Sequence, residues 1–292
     1  MQNSTMRVLT GLLALITTLA AVTACGDDTP PPLLISSSDQ PEMRAAAALY
    51  AVALTRAGIP ATTDGAPVDP DTELLEALAT GRADLFPAFT GQLLEQLSAT
   101  PQALGGEELQ AEVARSLPQG VAVGDPTGVS DRPQLLMSAE LRERYGVDNL
   151  VQCSAVPAGL PLVVTGAGAA APSPADLAAF ADCRPGPVEH VRDKRALLER
   201  VATGQALGVL PALQVASLGD LGQVRTIPAD GAPRAQDLVP VYRSAALNRS
   251  ALKQLSRIAG ELSTADLAEL GARVAAGEDP RDVAADWLSG RH

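Results

Sequence analysis

The stretch Asp84-Leu85-Phe86-Pro87-Ala88-Phe89-Thr90-Gly91 carries an apolar run straight into a helix signal. Residues 83–86 read as a short strand that Pro87 ends, and residues 90–97 as a helix. Working back toward the start, residues 33–36 form another short apolar strand, followed by the polar turn Ser37-Ser38-Asp39. Asp39 is placed to cap the next helix, with Pro41 in its first turn and Glu42 at the capping-box position. That helix runs through an alanine-rich stretch to about Arg56, and Gly58 stops it. Residues 59–63 make a further strand candidate. A helix follows Asp69-Pro70-Asp71, with Leu74, Leu75 and Leu78 at helical spacing. Strands and helices therefore alternate, the pattern of an α/β sheet whose strands run mostly parallel.

Beyond the opening stretch the alternation resumes. Residues 120–125 read as a strand leading into a turn-rich segment, 126–133. Strands at 134–137 and 160–165 and a helix at 139–145 come next, then helices at 174–181 and 194–202. Residues 166–172 and 225–237 read as loops. The last section is helical at 249–262, 263–275 and 280–288, with Ser263 and Asp266 spaced as a capping box and Asp279 ahead of Pro280 as a cap.

Composition narrows the function. Hydrophobic residues make up 46% and charged residues 19% of 292, enough for a packed core and too apolar for a disordered chain. Only 2% are aromatic, so that core is built from Ala, Leu and Val. A net charge of -12 excludes a general nucleic-acid binder, which needs a basic face.

The first residues read as an export signal. Arg7 precedes an apolar run over 8–22 that is short for a membrane span, which needs about 20 residues. Val22-Thr23-Ala24-Cys25-Gly26 then resembles the lipobox of bacterial lipoproteins, where the cysteine is lipidated and becomes the mature amino terminus. Residues 1–24 are therefore expected to be a signal peptide, Cys25 the lipidation site, and 25–32 a proline-rich tether. The expected location is the extracytoplasmic face of the cell membrane, held by lipid alone.

With Cys25 lipidated, Cys153 and Cys183 remain as an even pair in an oxidising compartment. That predicts a disulfide, the alternative being two buried free thiols. The two histidines, His190 and the terminal His292, give no metal set and no evident catalytic base. Neither a Gly-x-Ser-x-Gly elbow, a P-loop nor a His-Glu-x-x-His stretch occurs. Glu107-Glu108 and Asp27-Asp28 read as solvated charge. No enzyme, cofactor or metal is expected. In an open α/β sheet, ligands meet the turns that leave strand carboxyl ends, here 37–39, 86–92 and 125–133.

The opening stretch is similar to the Asp-Leu-Tyr-Pro-Glu-Tyr-Thr-Gly motif of substrate-binding proteins that serve ABC importers for glycine betaine, choline and carnitine. Ile35-Ser36-Ser37-Ser38-Asp39-Gln40-Pro41-Glu42 resembles that family's first strand and turn. Arg144-Tyr145-Gly146-Val147 resembles the end of one of its helices, and Val239-Pro240-Val241 with the helices around Leu262-Ser263-Thr264-Ala265-Asp266-Leu267 and residues 279–288 resembles its tail. Within the family the chain is most similar to an actinobacterial, LpqZ-like lipoprotein branch.

The resemblance implies the α/β, two-lobed periplasmic-binding-protein fold of type II, with mixed sheets flanked by helices. Residues 33–121 and 227–288 would form one lobe, 128–225 the other, with hinge crossings at 122–127 and 226. The disulfide pair would then lie within the second lobe. A small polar solute would bind between the lobes, for delivery to the membrane subunits of an ABC importer by a monomeric protein. Ser38, Asp39, Phe89, Thr90, Gln92, Asp131 and Arg192 are the implied ligand-binding residues. For three of them a plainer reading stands beside that one: Asp39 as a helix cap, Phe89 as core, and Arg192 as a surface charge next to Asp193. The family holds its cation in an aromatic cage. Here Phe89 keeps one ring, and the positions aligned with other cage tyrosines fall at Pro133, at 211–213 and at 233–235, where no aromatic occurs. Tight betaine or choline binding is not expected from a cage with one wall.

Overall fold

The protein's structure, a computed structural model, describes residues 31–63, 71–166, 172–228 and 233–290. The expected signal peptide, Cys25 and most of the tether lie outside the described residues. From Leu33 onward the chain forms one unit with two sheets of matching topology.

In the first sheet β1 (Leu33–Leu34) pairs in parallel with β2 (Ala61–Thr62), and Ile35 bridges in parallel to Leu85 of β3 (Leu85–Phe89). The strand β10 (Leu238–Arg243) then runs antiparallel between β3 and β4 (Val121–Val123). In the second sheet the order is β7 (Val188–Val191), β6 (Leu162–Thr165), β8 (Leu207–Pro211), β5 (Pro133–Ser138) and β9 (Val224–Ile227). There β5 is the antiparallel member, paired with β8 and β9. Each sheet thus contains one reversed strand, and in each it is the first strand after the chain changes lobe. The two-lobed α/β fold with mixed sheets expected from the sequence is the one observed.

The crossings fall later than expected. Residues 124–131 stay hydrogen-bonded to the first lobe: Gly124 N–H donates to Pro240 O (2.9 Å), Thr127 N–H to Leu238 O (2.9 Å) and Asp131 N–H to Gln236 O (2.9 Å). The chain passes to the second sheet only at Arg132. On the return, Ile227 is still paired with Leu135, so residue 226 lies inside β9 and not at a hinge. The turn-rich composition of 126–133 reads as a linker, yet its backbone groups are taken up by a neighbouring strand. Residues 225–227, expected as the start of a loop, belong to that fifth strand.

Eleven helices are described: α1 (Pro41–Arg56), α2 (Asp71–Ala79), α3 (Thr90–Leu97), α4 (Gly106–Ser116), α5 (Ala139–Tyr145), α6 (Pro174–Ala178), α7 (Lys194–Ala202), α8 (Ala212–Leu218), α9 (Arg249–Glu261), α10 (Thr264–Ala275) and α11 (Pro280–Ser289). The alanines of α1 let neighbours close in on nearly all sides, as a helix apolar all round requires. Ala45 to Ala51 are buried, and α1 packs on α9, α10 and α11. Gly271 of α10 permits this approach, because a Cβ there would stand 2.6 Å from Glu42 Cγ. The expected cap at Asp39 is not made: Gln40 occupies the N-cap position without a side-chain bond, and Asp39 is exposed. The Ser263–Asp266 capping box and the Asp279 cap both form.

Two prolines, Pro87 and Pro240, face each other across β3 and β10. Neither has an N–H to give, and an antiparallel ladder accepts such a pair where opposing residues exchange no bonds. Pro87 therefore sits inside the strand instead of ending it. Asp84, just before β3, joins three segments. Its carboxylate accepts from Leu34 N–H (3.0 Å) and pairs with the Arg243 guanidinium. In the second lobe Cys153 and Cys183 are disulfide-bonded, fixing two 3-10 turns, Leu150–Ala155 and Ala181–Cys183, against one face of the sheet.

Candidate functional site

The amino end of α3 is built on the opening stretch and sealed by residues 235–237. Thr90, 1% exposed, donates its N–H to Asp237 O (3.0 Å), while its hydroxyl accepts from Asp237 N–H (3.0 Å). Gln236 reaches back so that its Oε1 accepts from Gln92 N–H (2.9 Å), capping a helix whose own N-cap, Phe89, makes no side-chain bond. Gly91 is required by the close fit, since a Cβ there would lie 2.4 Å from Gln236 Nε2 and 2.6 Å from Ala235 O. Arg234 anchors this return segment, donating to Ala103 O and Pro101 O and pairing with Glu95.

The second part of the site lies where α8 of the second lobe meets the first. Asp131 Oδ1 accepts from Leu213 N–H at 2.8 Å. Leu213 is 4% exposed and belongs to the same core cluster as Phe89, Val129 and Leu238. Burial pushes the Asp131 carboxyl up to about 7; the Leu213 N–H opposes the shift, and the charge of Glu42 adds to it. Burial also raises Asp237, against the opposing influence of Arg132 and a hydrogen bond from Ser130. Ser130 is fixed in turn, its N–H donating to Thr264 Oγ1 (3.0 Å). Two carboxylates, Asp131 and Asp237, thus stand at this junction.

The implied ligand residues are only partly brought together. Thr90 and Asp131 flank the 235–237 segment, and Gln92 joins through its backbone while its side chain is exposed. Ser38 is buried at the end of the first strand's turn, and Asp39 beside it is exposed. Phe89 packs in the core, 3% exposed, so its ring faces protein. Arg192 stands apart, with 83% of its side chain exposed and its guanidinium on Asp193. Asp193 is the cap of α7, which is the plainer reading of that pair. Pro133 and Pro211, two positions aligned with cage tyrosines, lie directly opposite each other across β5 and β8.

The roles that Gln236, Asp237, Leu213 and Glu42 play here escape the sequence reading. Each acts through partners 82 to 147 positions away or through a backbone group, and no local pattern marks that. Among the described residues no group of His, Cys, Asp and Glu side chains is arranged for a metal ion. Nor is any described helix long and apolar enough to cross a membrane.

A family model described as the substrate binding domain of ABC-type glycine betaine transport system matches residues 31–192 and 223–290. No curated protein matches the chain by sequence. Among solved structures, a glycine betaine/carnitine/choline ABC transporter protein superposes with a TM-score of 0.72 at 12% identity, over 89% of this chain and 98% of that one. Apo YehZ from Escherichia coli does so with a TM-score of 0.68 at 18% identity, over 90% of this chain and 99% of its own. At such identities the likeness speaks for the fold, and the matched model, spanning both lobes, speaks for the kinship. The chain belongs to the family of substrate-binding domains of ABC-type glycine betaine transport systems, which are non-enzymatic binding proteins.

Proposed function

We propose that this protein is the lipid-anchored, extracytoplasmic solute-binding component of an ABC importer, and that it holds a small polar solute of the quaternary-amine or osmoprotectant class between its lobes. The observation that carries the reading is the family match across both lobes in chain order. Anchoring at Cys25, a monomeric state and kinship with the LpqZ-like branch belong to the same proposal and rest on sequence resemblance. Ser38, Thr90 and Asp131 are its leading ligand contacts, with Asp39 and Gln92 at the rim. The carboxylates would take over from aromatic rings in meeting a positive charge.

A solute at a hundred times its Kd stabilises the folded state by about 2.7 kcal/mol. For a chain of this size that is a rise in Tm of roughly 5 to 10 °C. Glycine betaine, choline, carnitine and basic amino acids are the first panel to screen by thermal unfolding. No rise with any member, and none with a broad osmolyte set, would sink the reading. Labelled palmitate incorporated by the wild type and lost in Cys25→Ala tests the anchor.

A second reading is favoured by the junction itself, where Leu213 and Phe89 are buried in one core cluster and the Asp131 carboxyl is already bonded to the Leu213 N–H. On it the chain is a family descendant that no longer serves transport and acts as a surface or envelope interaction lipoprotein. It predicts no solute response and growth on all family solutes unaffected by deletion.

A further inference from the structure

The helix α8 belongs to two cores at once. On one face Leu213 and Ala216, three apart, pack into the first lobe's cluster around α1 and α10. On the other, Val215 and Leu218 pack with Leu136, Leu210 and Val224 of the second lobe. At its amino end the Leu213 N–H meets the Asp131 carboxyl. That carboxyl stands on a segment held to the first lobe through Thr127, Ser130 and Asp131 backbone N–H groups. Among the described residues the two lobes are therefore joined by an apolar seat and by a hydrogen bond from the Leu213 N–H to a titratable carboxyl.

We propose that Asp131 is a proton-sensitive latch between the lobes, holding the solute-free protein closed more firmly in mild acid than in mild alkali. The charges around it act in one direction. Glu42, on α1, is of like sign, and α8 carries no ionisable side chain. Asp237 faces Arg132 and Ser130 on the adjoining segments. On α10, Asp266 is engaged by Ser263 and Trp287, Arg273 by Glu278 and Asp286, and Glu269 is exposed. Besides Glu42, α1 carries the half-buried Arg44 and the exposed Arg56, the latter bonded to Ala285 O and Ser289. Of all these charges Glu42 is the one that acts on the Asp131 carboxyl, and Arg132 acts on Asp237.

When the lobes part, Asp131 loses its burial and returns toward the ordinary value of 3.8; closed, it titrates near 7. The closed form keeps the proton where the open form has lost it. Closing is thus most favourable in acid, weakens as pH rises through the interval between those values, and levels off above it. Between pH 6 and pH 8 the closing equilibrium falls about tenfold. Protonation does not break the contact, because the neutral carboxyl still offers an oxygen to the Leu213 N–H.

The test is residue-resolved hydrogen exchange on the full chain without added solute. Protection of the Leu213 amide is read at pH 6 and pH 8 after correction for intrinsic exchange. The expected result is about tenfold greater protection at pH 6, with Val209 and Leu210 of β8 unchanged, and a flat profile in Asp131→Asn held near the acid value. A flat wild-type profile overturns the latch. So does a change shared equally by Val209 and Leu210, or an Asp131→Asn profile like the wild type's. The wild-type profile decides alone if that variant does not fold. Because no solute enters the measurement, its failure leaves the importer reading standing, and failure of that reading leaves the latch.

Discussion

Replacing both bridged cysteines, Cys153→Ala with Cys183→Ala, removes the one covalent tie described in the second lobe. The bridged positions are 30 apart in sequence, for which the chain-entropy relation gives about 3.6 kcal/mol at 25 °C. Both side chains are buried, at 0% and 1% exposure, within the cluster that holds Leu135, Met137 and Phe180. Loss of sulfur packing therefore adds to the entropic cost and does not offset it. The bridge lies wholly on one side of the hinge and joins two 3-10 turns, so lobe closure is untouched. The expected outcome in urea is a loss of about 3 to 5 kcal/mol with a larger m-value, since the unfolded chain is freed. In thermal unfolding the same loss lowers Tm by roughly 6 to 20 °C. Reductant added to the wild type reproduces most of it. A loss under about 1 kcal/mol, with reductant equally without effect, would refute the view that the bridge organises this lobe.

Gly91→Ala drives a methyl into Gln236 and Ala235 O, so a loss of about 1 to 3 kcal/mol is expected by urea unfolding, with displacement of the 235–237 segment. Solute affinity falls in the same variant if that segment shapes the site. Asp84→Ala removes the partner of Arg243 and of Leu34 N–H; a loss of about 2 to 4 kcal/mol is expected, and Asp84→Asn, which keeps an acceptor for Leu34, costs less. Ser263→Ala removes the capping box of α10 and is expected to cost about 1 kcal/mol by the same measurement.

The helices were the legible part of the fold. Those at 90–97, 139–145 and 194–202 stand where the apolar spacing and stop signals put them. Strands were harder. β7 reads Val-Glu-His-Val at the sheet's edge, where alternating polar residues look like loop. β8 contains Gly208, whose missing Cβ makes room for Leu197 and Val201, and ends on Pro211, so composition disguises a central strand. The seven-residue α8 was not read as a helix from the sequence, and nothing local says that it bridges two cores. Legibility of the site followed the same physics. Thr90 and Asp131 could be found from turns at strand ends, whereas Gln236 and Leu213 enter through pairings set only by the folded topology. Arg192 and Asp39 illustrate the converse, charged turn residues whose place proves to be solvent.

Solute binding between the lobes is tested most directly by native mass spectrometry of the protein purified from its own cells. A single small polar solute per chain, released on unfolding and recovered as a nitrogen-containing compound, is the predicted result. A bare protein mass across gentle preparations, unchanged by adding the family's solutes at millimolar concentration, would contradict it.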